Sequence, residues 1–61
     1  MKELLKQVSV ADYTDFRRRV CEVCGLKYGQ FWSRVNGKTK VSPAERIVIQ
    51  KIIDEEFKDG Q

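Results

Sequence analysis

The chain has 61 residues, of which 41% are hydrophobic and 34% charged, and its formal net charge is +3. This length allows one small domain without a roomy enzyme cleft, and the composition is globular rather than disordered. No apolar run is long enough to cross a bilayer. The N-terminal MKELLKQV lacks a signal-type apolar core, so we expect a small basic cytoplasmic protein with no membrane partner.

The spacing of apolar residues predicts an all-α chain of three to four helices. The expected helices cover about 2–8, 12–24, 27–35 and 43–58, in a single domain over 1–61. Gly25 and the pair Asn36-Gly37 mark the ends of the second and third helices, because these residues tolerate the left-handed backbone of a helix end. Residues 59–61 are expected to be frayed.

The last helix has the clearest local signal. Ser42 is expected as its N-cap, Pro43 as its first residue and Glu45 as the capping-box partner. Its apolar residues cover an arc far wider than the roughly 100° of a one-sided helix. Two explanations stay open: the domain wraps this helix on several sides, or part of the arc forms a homodimer interface.

Two cysteines, Cys21 and Cys24, form a lone C-x-x-C in a chain without histidine. A structural zinc ion needs four ligands, and a thioredoxin-like redox pair needs strands that the pattern does not predict. We therefore expect both thiols to pack as small hydrophobes, with no metal and no cofactor.

The positive charge is concentrated in the middle of the chain. No acidic residue occurs between Glu22 and Glu45, whereas four basic residues do. They are Lys27, Arg34, Lys38 and Lys40. Such a stretch attracts a polyanion such as nucleic acid, although a solvated basic face without a partner gives the same pattern.

The segment from Phe16 to Lys38 has the form of two helices joined by a tight glycine turn. Cys21 is small where the helices cross, Gly25 supplies the turn and Leu26 an apolar plug. The segment resembles the helix-turn-helix of phage-repressor-like regulators, whose second helix enters the major groove. That resemblance implies DNA contacts from the third helix and the loop after it. They are Lys27, Tyr28, Gln30, Ser33, Arg34, Asn36, Lys38 and Lys40.

Arg34 stands where these regulators usually have an apolar residue, which predicts a rotated helix. Arginine suits guanine and glutamine suits adenine, so Arg34 and Gln30 are candidate base readers. Arg17 and Arg18 are candidate phosphate contacts; alternatively their run is a solvated surface paired with nearby acidic residues. Trp32 is expected to pack partly on the last helix or the loop, with a surface aromatic as the alternative.

The predicted function is that of a sequence-specific DNA-binding transcriptional regulator, repressor-like, with a recognition helix over about 28–36. The expected partner is double-stranded DNA, and a homodimer through the last helix is the further candidate that the wide apolar arc leaves open. A small protein–protein interaction module using the last helix and Trp32 is the alternative. Because no residues assemble a nucleophile with a base, we expect neither an enzyme nor a small-molecule substrate.

Overall fold

The computed structural model describes residues 1–58, and every regular element in that range is helical. The predicted all-α fold of three to four helices is confirmed, and the described residues form four α-helices. The helices are α1 (Lys2–Leu5), α2 (Tyr13–Cys24), α3 (Tyr28–Val35) and α4 (Pro43–Ile52). A 3₁₀ turn over Val10–Asp12 precedes α2, and a π turn over Ile53–Phe57 follows α4. The end expected to be frayed, 59–61, lies outside the described residues.

Helix α1 is shorter than the expected 2–8. Its N-cap, Met1, offers no side-chain acceptor, and after Leu5 the chain tightens into hydrogen bonds between residues three apart. A helix this short is not stable alone, so packing determines where it stops. Leu4 and Val8 are nevertheless both buried, as their spacing predicted.

The core is formed by eight hydrophobic side chains that are at most 5% exposed. They are Leu4, Val8, Phe16, Val20, Phe31, Ile49, Ile52 and Ile53. Phe16 of α2 lies among them and meets two other rings edge to face, Phe31 at 6.3 Å and Phe57 at 5.6 Å between centroids. These contacts join α2 to α3 and to the π turn, and they fix the orientation of α3.

Most of the wide apolar arc of α4 packs inside the domain. Ile49 and Ile52 are buried, and Val48 is half-buried against the core. The π turn continues this packing, since it brings Phe57 onto Phe16. Ile47 alone is a large apolar residue of α4 that stays exposed, at 69%. Among residues 1–58, no helix combines the length and apolar character that a membrane crossing requires.

Candidate nucleic-acid interface

The turn between α2 and α3 follows the predicted glycine geometry. Gly25 has φ of +68°, and the Leu26 backbone N–H donates to the Cys21 carbonyl at 2.9 Å. This bond closes the end of α2 as a Schellman-type cap, and Leu26 then packs against the core. The chain enters α3 after only three residues, so the two helices are held as a tight pair.

Lys27 is the N-cap of helix α3, directly before its first residue Tyr28. The Lys27 backbone N–H donates to Oε1 of Gln30 at 2.8 Å, which is one half of a capping box. The reciprocal bond cannot form, because a lysine side chain has no acceptor. The Gln30 amide oxygen therefore points back to the helix start. A bidentate contact of Gln30 with adenine needs both its amide oxygen and nitrogen, so that contact would have to break this cap.

The other end of α3 is a second Schellman cap. Gly37 has φ of +81°, the Lys38 N–H donates to the Ser33 carbonyl at 2.9 Å, and the Gly37 N–H donates to the Arg34 carbonyl at 3.3 Å. The cap directs the chain into the loop that carries Lys38 and Lys40. Both lysines are exposed, and neither forms an ion pair within residues 1–58.

The outward face of α3 carries short side chains. Phe31 is buried and Val35 half-buried on the inner side, which leaves Gly29, half-buried Ser33 and Asn36 on the opposite side. A Cβ added to Gly29 would meet no atom within 4 Å, and its φ is not in the left-handed region. The fold does not require glycine at position 29, and a second molecule can approach the helix backbone closely there.

Arg34, a predicted base reader, is bonded inside the domain. Its Nε and Nη2 donate to the two carboxylate oxygens of Glu45 on α4 at 3.2 and 3.1 Å. Its Nη1 donates to the Gln30 carbonyl at 3.0 Å, and its side chain is only 14% exposed. The guanidinium thus ties α3 to α4. This arrangement explains why a charged residue occupies a position that the resemblance reserves for an apolar one.

Glu45 serves two elements at once. Its backbone N–H donates to Oγ of Ser42 and its carboxylate accepts from the Ser42 N–H, both at 3.2 Å, so the predicted capping box is present. The bonds from Arg34, and then those from Ser42, lower the pKa of Glu45. The start of α4 and the inner flank of α3 are therefore held by one carboxylate.

The three consecutive arginines of α2 have different surroundings. Arg19 is paired with Glu56 at 3.0 Å and with Glu22 at 2.8 Å. The guanidinium of Arg17 lies 4.4 Å from the centre of the Tyr28 ring, in a cation–π contact. Arg18 is exposed and forms no ion pair within residues 1–58. The paired-surface interpretation thus describes Arg19, and Arg17 and Arg18 stay candidate phosphate contacts.

Trp32 is a partly exposed aromatic side chain of α3. It is 38% exposed and meets the rings of Tyr28 and Phe31 edge to face, at 5.9 and 5.6 Å. Its ring lines a groove formed by α1, α2 and α3, with no α4 residue in the lining. We call this cavity of about 500 Å³ the aromatic groove. Sequence reasoning missed it, although Lys2 and Lys6, four residues apart beside Leu5, signal a basic edge on α1.

The cysteines are both free thiols and half-buried. Burial, followed by the nearby negative charge of Glu45, raises the pKa of Cys24. No group of three or more potential metal ligands occurs among the described residues. The Cys24 thiol is therefore held in its protonated, poorly nucleophilic form.

Comparisons with known proteins return no match: no family model, no curated protein and no solved structure is significantly similar to the chain. The function must therefore be argued from the chemistry of this surface.

Proposed function

We propose that the chain is a regulator that binds double-stranded DNA and inserts the outward face of α3 into the major groove. The observation that carries this proposal is the charge around that helix. Lys27 stands at its start and Lys38 and Lys40 follow its end, while residues 23–44 contain no acidic side chain. A helix face flanked at both ends by cations that form no ion pair within residues 1–58 suits a groove bordered by two phosphate backbones.

The proposed contacts divide between phosphates and bases. Lys27, Lys38, Lys40 and the Tyr28 hydroxyl bind phosphates, and Arg17 and Arg18 supply further charge. Base edges are read by Ser33 and Asn36 on the outward face, and by Gln30 once its amide leaves the cap at Lys27. Arg34 is absent from this set because its guanidinium is bonded to Glu45 and Gln30. Its role is to hold α3 at the rotation that presents these side chains.

The short side chains of the outward face support the same assignment. Small residues on a helix face allow a partner surface close to the helix backbone, and α3 has two of them on its outward face, Gly29 in the first turn and Ser33. The major groove of a DNA duplex, where the edges of the base pairs are exposed, is such a surface. Gly29 also lowers the helix propensity of α3 by up to roughly 1 kcal/mol relative to alanine, although neither the backbone angle nor close packing against the described residues requires glycine there.

The test measures binding of a fluorescein-labelled 24-base-pair random duplex by anisotropy between 50 and 200 mM salt. Three to four phosphate contacts predict a slope of log affinity against log salt of about −3 to −4. Lys38→Ala with Lys40→Ala should weaken binding and reduce the slope by about 2. The control, Lys51→Ala with Lys58→Ala, removes the same charge near the end of α4 and after the π turn, away from the proposed surface. It should change the affinity and the slope little. Equal losses in both pairs would refute this surface.

The homodimer remains a prediction, as does regulation of transcription. The buried arc of α4 leaves Ile47 as its large exposed apolar residue, so a dimer through α4 would centre there. Two copies would suit half-sites about one helical turn apart. Sedimentation velocity of the wild type and of Ile47→Glu, with and without duplex, tests this: a dimer that Ile47→Glu leaves intact does not use this surface.

A further inference from the structure

The aromatic groove is concave, and its base is apolar. Its lining includes buried Phe31 and half-buried Leu5 and Val35, which we take as its base, and the residues Tyr13, Tyr28 and Trp32. Its volume of about 500 Å³ is within the range of protein binding clefts. The groove therefore offers space for bulky apolar side chains of another molecule.

The charged groups of the groove are all of one sign. Lys2, Lys6 and Arg17 contribute to its lining, and no acidic residue does so within residues 1–58. Neither lysine forms an ion pair in the described part of the chain, and both are exposed. Arg17 also lies over Tyr28, which holds its charge beside the apolar base. An occupant must carry apolar groups with negative charge around them.

We infer that the aromatic groove binds an acidic segment of a partner protein that inserts one or two bulky apolar side chains beside Trp32. Tryptophan, tyrosine and arginine are the residues that dominate binding energy at protein interfaces, and the groove combines Trp32, Tyr13, Tyr28 and Arg17. Duplex DNA does not fit this chemistry, because its convex phosphate backbone has no apolar group to fill the base of the groove.

A helical segment satisfies these requirements best. Apolar side chains three or four residues apart on one face enter a groove, while acidic residues beside them reach the cations at its edge. Lys2 and Lys6 are spaced by one helical turn, which matches the spacing of two carboxylates on a facing helix.

Occupation of the groove also affects DNA binding, a corollary that depends on the proposed function. Tyr28 and Arg17 belong both to the groove and to the proposed phosphate contacts. An acidic segment seated on them covers Tyr28 and neutralises Arg17. Peptide and duplex should therefore compete for the protein, so the groove would be a point of regulation by an acidic partner.

Trp32 is the single tryptophan of the chain, so its fluorescence reports on the groove directly. The probe is an amidated 14-residue helical peptide without tryptophan, with Leu, Phe and Leu on one face and Glu and Asp on the other. Binding should shift the Trp32 emission to shorter wavelength and protect it from iodide quenching. A peptide with Lys at the acidic positions, and one with Ala at the three apolar positions, should each bind at least about tenfold more weakly.

Two charge-reversal variants separate the groove from the DNA surface. Lys2→Glu with Lys6→Glu should weaken peptide binding about tenfold or more, and circular dichroism should show an unchanged fold. Lys38→Glu with Lys40→Glu should leave peptide binding unchanged while abolishing duplex binding. Changes in the amide chemical shifts of the protein then map where the peptide binds. These changes should cluster in residues 2–6, 13–17 and 28–35.

Any one of these results would overturn the inference: no spectral shift with the acidic peptide, equal binding of the Ala-substituted or the Lys-substituted peptide, unchanged binding by Lys2→Glu with Lys6→Glu, or chemical-shift changes outside the groove. Saturable binding of single-stranded DNA in the groove, in place of the peptide, would also overturn it. Peptide binding is measured without DNA, so failure of the proposed DNA function leaves this test intact. Peptide binding without competition would refute only the corollary.

Discussion

The bond between Arg34 and Glu45 allows a quantitative test of how α3 is oriented. Two charge-assisted hydrogen bonds link the residues, and their side chains are only 14% and 24% exposed. Fully exposed pairs contribute roughly 0.2–1 kcal/mol, and hydrogen bonds to charged groups about 1.5–3 kcal/mol. We therefore expect a coupling free energy of about 1 to 2 kcal/mol. A domain of this size is stable by only about 5 kcal/mol, so the effect is large.

A double-mutant cycle isolates this coupling. Arg34→Met removes the guanidinium but keeps the aliphatic stem, and Glu45→Ala removes the carboxylate. The capping bond that Glu45→Ala also loses is absent from both the single and the double mutant, so it cancels. Urea unfolding followed by circular dichroism gives the four free energies. A coupling below about 0.3 kcal/mol would show that the pair does not hold α3, and Arg34 would return to the candidate base readers.

The same cycle predicts a pH dependence whose sign follows from the lowered pKa of Glu45. A carboxyl whose pKa is lower in the folded state stabilises it fully above the unfolded value of about 4.3. That contribution is lost as pH falls through the folded pKa. The difference in stability between wild type and Arg34→Met should be constant near neutral pH and shrink below about pH 4. An NMR titration of the Glu45 carboxyl that gives the same midpoint in both proteins would contradict this.

Three further predictions follow from single residues. Gly29→Ala should raise the free energy of unfolding by up to about 1 kcal/mol and weaken duplex binding, and unchanged DNA affinity would argue against close approach at this position. Gly25→Ala should lower the free energy of unfolding by about 1 to 2 kcal/mol because of its positive φ, measured by urea titration, whereas no loss would mean that the turn adapts. Cys24 should be alkylated by iodoacetamide at pH 8 several-fold more slowly than a free cysteine peptide, as followed by mass spectrometry. Equal rates would show that its thiol is not buried and that its pKa is not raised.

Local signals in the sequence were sufficient to predict where α2 and α3 end and where α4 begins, but not where α1 and α4 end. Three of these features each depend on residues within five positions of one another: the Ser42 capping box, the Gly25 turn and the turn at Gly37. The local sequence therefore contains all the residues that form each of them. The core residues Phe16 and Phe31 likewise follow from helical spacing. These features place α3 correctly along the chain and leave its rotation open.

The site itself depended on contacts between distant residues. Arg34 and Glu45 are eleven residues apart, and a loop separates their helices, so their bond follows only from how α3 crosses α4. The direction of Trp32 depends on α1, whose position is set by the burial of Leu4 and Val8. Periodicity gives the face of a helix but not its neighbour, and for that reason the sequence showed neither the bond of Arg34 to Glu45 nor the groove beside Trp32.

One rotation of α3 accounts for both proposed surfaces. With Phe31 inside and Arg34 held against α4, the helix presents Gly29, Ser33 and Asn36 outward, while Trp32 turns to the side of α1. A rotation that freed Arg34 for DNA would break its bonds to Glu45. The base-reading face and the aromatic groove therefore lie on adjacent sides of a single two-turn helix, and a change that reorients α3 must alter both. Arg34→Met, which removes the bonds that hold this rotation and keeps the other side chains of both surfaces, should thus weaken duplex and acidic peptide together.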